Sequence, residues 1–280
     1  MDVSIGETLV NFKESTFALY ENHPDPDSID WKFCTKDEYL EIENIFTKNV
    51  KFFEPFIIEN FFDEADFEEL RAALYAKDLA DIVYTKQMNK WEDAVPIPQH
   101  LFDKAIRKVR DALGTEDVEL GYYLYAHHQI TAEGRKPFLQ VHLDWSPGSY
   151  MVDLHIGGNR DWGFVAHDKE FMTKPNDAII VQPEFDFHYR PAWGSDDPKE
   201  FYQALFLHLI RKDHWKNLFG QNYMQDEKFL AFQNQRLHMW QPLYVKLAEA
   251  DPNLPQLVFS HDDDITEDDK RLLGVESKEK

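Results

Sequence analysis

Phe138-Leu-Gln-Val-His-Leu-Asp144, then Trp145-Ser-Pro-Gly148, then Tyr150-Met-Val-Asp-Leu-His-Ile156 closed by Gly157-Gly158, is the stretch on which the fold turns. The first run predicts a strand, the Ser-Pro-Gly segment a turn, and the second run another strand ending at paired glycines. The same rhythm continues downstream. Asp161–Val165 and Lys169–Thr173 read as short strands, and Pro175-Asn-Asp177 turns the chain into the apolar run Ala178–Val181. Phe185–Tyr189 and, after a Gly/Ser/Asp/Pro loop, Phe201–Ile210 complete seven short strands. That number at that spacing predicts a mainly β architecture, a sandwich or a jelly roll.

Within the opening run, His142 and Asp144 are two apart, so on a strand both side chains point to one face while Leu143 turns to the other. His188 follows 44 residues after Asp144. If a neighbouring strand brings it alongside, two imidazoles and one carboxylate share a site, the ligand set of non-haem ferrous centres that keep the opposite coordination face open. With twelve histidines and 52 acidic residues, an H-x-D triplet also arises by chance. Other polar pairs compete less well. His127 and His128 are adjacent and must face opposite ways on a strand. Asp153 and His155 form a reversed pair and His167-Asp168 a loop pair, neither with a matched third ligand. No Ser-His-Asp order and no phosphate-binding glycine loop is present.

At these residues the chain resembles the Fe(II)/2-oxoglutarate-dependent dioxygenases, in particular the prolyl 4-hydroxylase-like branch, over roughly Phe53 to Ile210. Glu54–Asp63 followed by a helix is similar to the family's amino-terminal entry, and Tyr122-Tyr-Leu-Tyr125 to the strand before the ligand strand. Trp162-Gly-Phe164 stands where the family has a glycine-containing strand, and Pro175-Asn-Asp-Ala178 resembles its turn towards the distal histidine. The resemblance implies a double-stranded β-helix, cupin-like jelly roll with supporting helices. It further implies Fe(II), O2 and 2-oxoglutarate as cosubstrate, with His142, Asp144 and His188 as metal ligands. An aspartate at the carboxylate position argues against the related halogenases. For the far carboxylate of 2-oxoglutarate, the family's spacing favours Lys199, eleven residues after His188. Arg190, which shares the His188 face, and Arg211 are the other cations, and a small shift puts Tyr202 at that position. Arginine would bind a carboxylate by two parallel bonds, whereas lysine acts as a point charge. Tyr125 and Tyr150 are phenols that either bond the cosubstrate or fill the core, and Trp145 is a candidate pocket wall. Two other readings of the same barrel stay open, a non-catalytic cupin-like metal or ligand-binding module and a metal-dependent isomerase or hydrolase.

Composition bounds the rest. With 280 residues and 43% hydrophobic content, the chain is long enough for one large core, read as residues 51–212. Residues 1–50 read as an acidic extension with a loop at His23–Asp27, and 213–280 as a helical segment and acidic tail. Asp63 is placed to cap a helix carrying Phe67, Leu70 and Leu74, and a second helix runs from about Leu101 to Leu113 and stops at Gly114. Phe229, Leu230 and Leu237 are the expected buried residues of the last segment. The sequence has no run of about 18 apolar residues and no secretory leader pattern, so neither a membrane span nor export is expected. Cys34 is the single cysteine, which fits a cytoplasmic setting. A net charge of −22 repels nucleic-acid phosphates and favours a neutral or cationic small molecule or peptide as substrate.

Overall fold

The computed structural model describes residues 26–47, 53–85, 90–132, 134–142, 144, 149–166, 169–186, 188–211, 219–220 and 222–250. Among the described residues the α-helices are α1 (Lys36–Thr47), α2 (Glu64–Tyr75), α3 (Gln99–Leu113) and α4 (Glu227–Ala250). The strands are β1 (Phe56–Ile58), β2 (Val83–Thr85), β3 (Lys90–Asp93), β4 (Glu119–Gln129), β5 (Leu139–His142) and β6 (Tyr150–Gly158). They continue as β7 (Phe164–Ala166), β8 (Lys169–Phe171), β9 (Ala178–Val181), β10 (His188–Arg190) and β11 (Phe201–Ile210).

These strands form a seven-stranded sheet, β1-β9-β6-β11-β4-β3-β2, and a four-stranded sheet, β5-β10-β7-β8, with every ladder antiparallel. From β5 onward the chain passes to the large sheet at β6, back for β7 and β8, across again at β9, back at β10 and across at β11. Phe164, Ala166 and Phe171 of the small sheet share one buried cluster with Met151, Ile179, Ala204 and Phe206 of the large sheet. The sheets therefore face each other, and the fold is a double-stranded β-helix jelly roll.

Alternation divides the long strands into two faces. On β11, Tyr202, Ala204 and Phe206 join the barrel interior, whereas Leu205, Leu207 and Leu209 join the core beneath the helices. That second core is sealed by Phe67, Leu70 and Leu74 of α2 and Leu101, Phe102, Ala105 and Val109 of α3. Burying one such large apolar side chain contributes about 2 kcal/mol, so the helices are held by this stripe rather than by local propensity. Both helix ends match the sequence. Asp63 accepts from the Asp66 N–H at 2.9 Å, and α3 stops at Gly114 in the left-handed region at φ 63°.

Part of the amino-terminal extension proves to be structured. Tyr39 of α1 stacks on Phe232 of α4 with ring centroids 4.8 Å apart. The Gln235 side chain accepts from the Phe33 N–H at 3.0 Å and donates to the Asp30 carbonyl at 2.9 Å. Phe229 is buried as expected and Leu230 is half-buried, while the Leu237 side chain and the acidic tail lie outside the described residues. Among the described residues, no helix is long and apolar enough to cross a membrane.

Candidate metal and cosubstrate site

The small sheet sets His142 of β5 directly opposite His188 of β10, so the two positions share one face of that sheet. Of His142 only the backbone is described; its side chain, with Trp145, His167 and Asp168, lies outside the described residues. Asp144 follows β5 and is fixed through its main chain, its N–H donating to the Pro183 carbonyl at 2.8 Å. Its Oδ1 lies 3.7 Å from His188 Nε2. His188 is 2% exposed, and Phe164 stacks on its ring. Its Nδ1 donates to the Asp186 carbonyl at 2.7 Å. A carbonyl only accepts, so Nδ1 carries the proton and Nε2 is the nitrogen that faces the carboxylate. This is how ligating histidines are held in their tautomer. The 3.7 Å gap is too long for a hydrogen bond, and it is close to the separation of about 3 Å expected of two ligands at right angles around one ion.

The turn ahead of β10 is rigid. Gln182 donates its N–H to Asp186 Oδ2 at 2.6 Å, and its carbonyl accepts from the N–H groups of Phe185 and Asp186. This turn is why the sequence-predicted strand 185–189 begins at His188. Arg236 of α4 reaches across and donates from Nη2 to the carbonyls of Asp144, at 3.1 Å, and Glu184, at 2.9 Å. The last helix thereby ties together the segment at Asp144 and the turn before His188, a link between residues 92 and 52 apart that no local pattern reveals.

A third histidine joins them that no sequence pattern singles out. His208 of β11 has Nδ1 3.7 Å from Asp144 Oδ2, is 5% exposed, and stacks face to face with Tyr122 at 4.1 Å. Burial pushes its pKa down to about 4 against an opposing pull from the Asp144 carboxylate. Burial also lowers His128 and His155. Each of these imidazoles holds a proton more readily unfolded, near 6.5, than folded. For His208 the stabilising contribution is therefore complete above about pH 6.5 and is lost as the pH falls towards 4, and His128 and His155 act in the same direction. In the metal-free chain, unfolding free energy should fall between about pH 6.5 and 4 by up to about 1.4 kcal/mol per pH unit from His208. Urea titrations across that range check this; a flat profile until the carboxylates protonate would contradict it.

Deeper in the barrel, Arg190 is 1% exposed and its guanidinium lies between the rings of Trp162, Phe164 and Tyr202, at 5.2, 5.4 and 4.5 Å. It forms a fully buried ion pair with Asp153 and donates to the Trp162 carbonyl at 2.6 Å and the Tyr202 hydroxyl at 3.2 Å. Lys90, paired with Glu92 at 2.7 Å, lies over the Phe206 ring of the interior cluster.

The sequence-predicted cosubstrate residues separate on this geometry. Lys199 lies exposed in the loop before β11, its N–H bonded to Asp197 and its carbonyl to Asn159, so it does not line the interior. Arg190 and Tyr202 do. Tyr125, read from the sequence as a possible cosubstrate contact, pairs with Leu205 on the opposite face of β4 and belongs to the core under the helices, as does Tyr150. Alternation leaves Tyr122, Ala126 and His128 on the inner side, opposite His208, Ala204 and Tyr202. His127 faces out to Gln203, whose Nε2 donates to His127 Nδ1 at 3.1 Å. Arg211 is buried at the end of β11, and its N–H donates to Ser149 Oγ.

Among the described residues, one trio of metal-type donors lies mutually within 4.8 Å: Asp66, Glu69 and His100, on α2 and α3. Glu69 and His100 are exposed and Asp66 is already paired with Lys104, the pattern of surface charges rather than a built centre.

No protein-family model and no curated protein matches the chain. Three similar solved structures are a viral collagen prolyl hydroxylase from Paramecium bursaria Chlorella virus-1, a 2OG-Fe(II) oxygenase-family oxidoreductase from Burkholderia pseudomallei and a prolyl-4-hydroxylase from Pseudomonas putida. Identities are 11%, 12% and 11%, and TM-scores 0.38, 0.42 and 0.42. The matches cover 55%, 64% and 56% of this chain and 94%, 91% and 92% of theirs.

Proposed function

We propose that this chain is an Fe(II)- and 2-oxoglutarate-dependent oxygenase that hydroxylates a C–H bond of an amino acid, a peptide or a small metabolite. The observation that carries the reading is the His188 imidazole: its Nδ1 proton is held by the Asp186 carbonyl while Nε2 faces Asp144 at 3.7 Å, with His142 across the ladder. The donor set fits ferrous iron, which takes imidazole nitrogen and carboxylate oxygen and is served by two neutral ligands and one anionic one. His142, Asp144 and His188 would hold it. With O2 and 2-oxoglutarate bound, iron supplies the chemistry that couples decarboxylation of the cosubstrate to succinate with insertion of one oxygen atom into a C–H bond.

The chain's own part is placement. Asp144 contributes the negative charge, His188 is locked in one tautomer, and Arg236 keeps the two ligand loops at fixed separation. Arg190 and Tyr202 are the groups suited to the far carboxylate of 2-oxoglutarate, since a guanidinium held among three rings loses little freedom on binding. The surrounding Trp162, Phe164 and Phe206 are all buried and exclude water. The charge of −22 favours neutral or cationic substrates.

Succinate release, measured with Fe(II) and 2-oxoglutarate against a panel of amino acids, proline-containing peptides and small metabolites, tests the proposal. Substrate-stimulated succinate is expected, unchanged in Lys199→Ala and strongly reduced at limiting 2-oxoglutarate in Arg190→Gln. Binding of metal with no succinate across the panel would favour the non-catalytic cupin-like module instead.

A further inference from the structure

The same guanidinium offered above to 2-oxoglutarate already has a carboxylate. Arg190 and Asp153 are buried together, with side-chain exposures of 1% and 0%, and Asp153 Oδ2 accepts from Arg190 Nη2. The pair is incompletely satisfied. Arg190 Nε, Asp153 Oδ1, His155 Nε2 and both ring nitrogens of His128 are buried without a hydrogen-bond partner. They gather around one ring: the Tyr202 centroid lies 4.5 Å from that of His155, 6.3 Å from that of His128, and 4.5 Å from the Arg190 guanidinium carbon. Folded chains seldom leave so many buried polar atoms unmet in one place. Such a lining suits a polar guest.

We propose that Asp153 is an internal stand-in for the cosubstrate's distal carboxylate, occupying Arg190 in the empty chain and yielding it when the dicarboxylate enters, and so setting cosubstrate affinity. The proposal rests on the oxygenase reading of the site. Two carboxylates on one buried guanidinium would leave an excess negative charge, and the geometry supplies a way out. His155 follows Asp153 by two residues on the same face of β6. Its Nδ1 donates to the Thr173 carbonyl at 3.0 Å, so Nε2 is a bare acceptor. One proton entering with the guest bridges Asp153 Oδ1 and His155 Nε2, satisfies both and leaves the arginine to the incoming carboxylate. No bond other than hydrogen bonds is made or broken. The charged and titratable groups facing this exchange are Arg190 on β10, His155 on β6, Tyr202 on β11, His128 on β4 and Lys90 on β3.

The test is calorimetric titration of 2-oxoglutarate into the full chain loaded with Mn(II), which binds without turnover. Asp153→Asn leaves the buried guanidinium without a counter-charge, so it should bind 2-oxoglutarate about tenfold more tightly than the natural chain or better, and gain more thermal stabilisation from it. In the natural chain, binding repeated in buffers of different ionisation enthalpy should report uptake of about one proton, lost in Asp153→Asn. Equal or weaker binding by Asp153→Asn overturns the proposal. Should that variant not fold, a proton count near zero in the natural chain overturns it alone. Arg190→Gln separates this from the underlying reading: if it loses 2-oxoglutarate while Asp153→Asn gains nothing, only the stand-in role falls, and if it binds normally the anchor falls too.

Discussion

Asp144→Ala is expected to abolish iron-dependent succinate release while leaving the barrel folded. The carboxylate is the one anionic donor of the proposed triad, and without it two neutral imidazoles would have to hold a dication alone. Loss of a supporting residue around a metal site already costs 10- to 100-fold in affinity as a rough rule, so loss of a ligand should cost at least about a hundredfold. The fold should survive because Asp144 is tied in through its main chain, to Pro183 and Arg236, and its side chain is 17% exposed. Removing an anion from beside His188 and His208 also relieves no packing that must then be refilled. Equilibrium dialysis with Mn(II), together with far-ultraviolet circular dichroism, reads both halves of the expectation. Undiminished metal binding in a well-folded variant would remove Asp144 from the site.

Arg190→Met should be the most destabilising single substitution in the barrel interior. It leaves Asp153 charged and buried with no partner, at a cost of about 3–5 kcal/mol, or roughly 10 °C in midpoint for a chain of this size. Replacing both partners, Arg190→Met with Asp153→Leu, should restore most of that loss, because an apolar pair of similar volume avoids the desolvation of two charges. Thermal or urea unfolding of the two singles and the double makes a complete cycle. Additive losses in the double variant would mean that the two groups do not act as a pair.

Much of the fold is legible in the sequence, and for local reasons. Ala178–Val181 and Phe201–Ile210 are apolar runs bounded by turn residues, and their ends coincide with β9 and β11. Asp63 and Gly114 mark helix ends because a cap is a matter of two or three neighbouring residues. The H-x-D phase is read from three consecutive positions, but the strand expected over 138–144 ends at His142 and Asp144 follows it. What escaped depends on register between distant strands. His208 is one histidine in an apolar strand, and only its pairing with Tyr122 and its distance to Asp144 bring it to the site. Tyr125, which the sequence leaves open between a cosubstrate contact and the core, belongs to the core; β4, Glu-Leu-Gly-Tyr-Tyr-Leu-Tyr-Ala-His-His-Gln, is apolar or aromatic on both sides and shows no alternation to decide it. Spacing from His188 points to Lys199, yet loop residues 191–200 carry that position outside, and Arg190, two residues from His188, lies inside. β2 and β3 are hard to read for a different reason: β2 is the edge strand and exposes Val83, and β3 beside it buries only Lys90 of Lys-Trp-Glu-Asp, so burial leaves no strong pattern in their sequence.

The most direct test of the metal assignment is anomalous diffraction from crystals grown with Mn(II) and 2-oxoglutarate without oxygen. A single strong peak is expected at coordination distance, about 2 Å, from His188 Nε2 and an Asp144 oxygen, with His142 completing the set. A peak instead at Asp66, Glu69 and His100 on the helical surface, with none between β5 and β10, would contradict it.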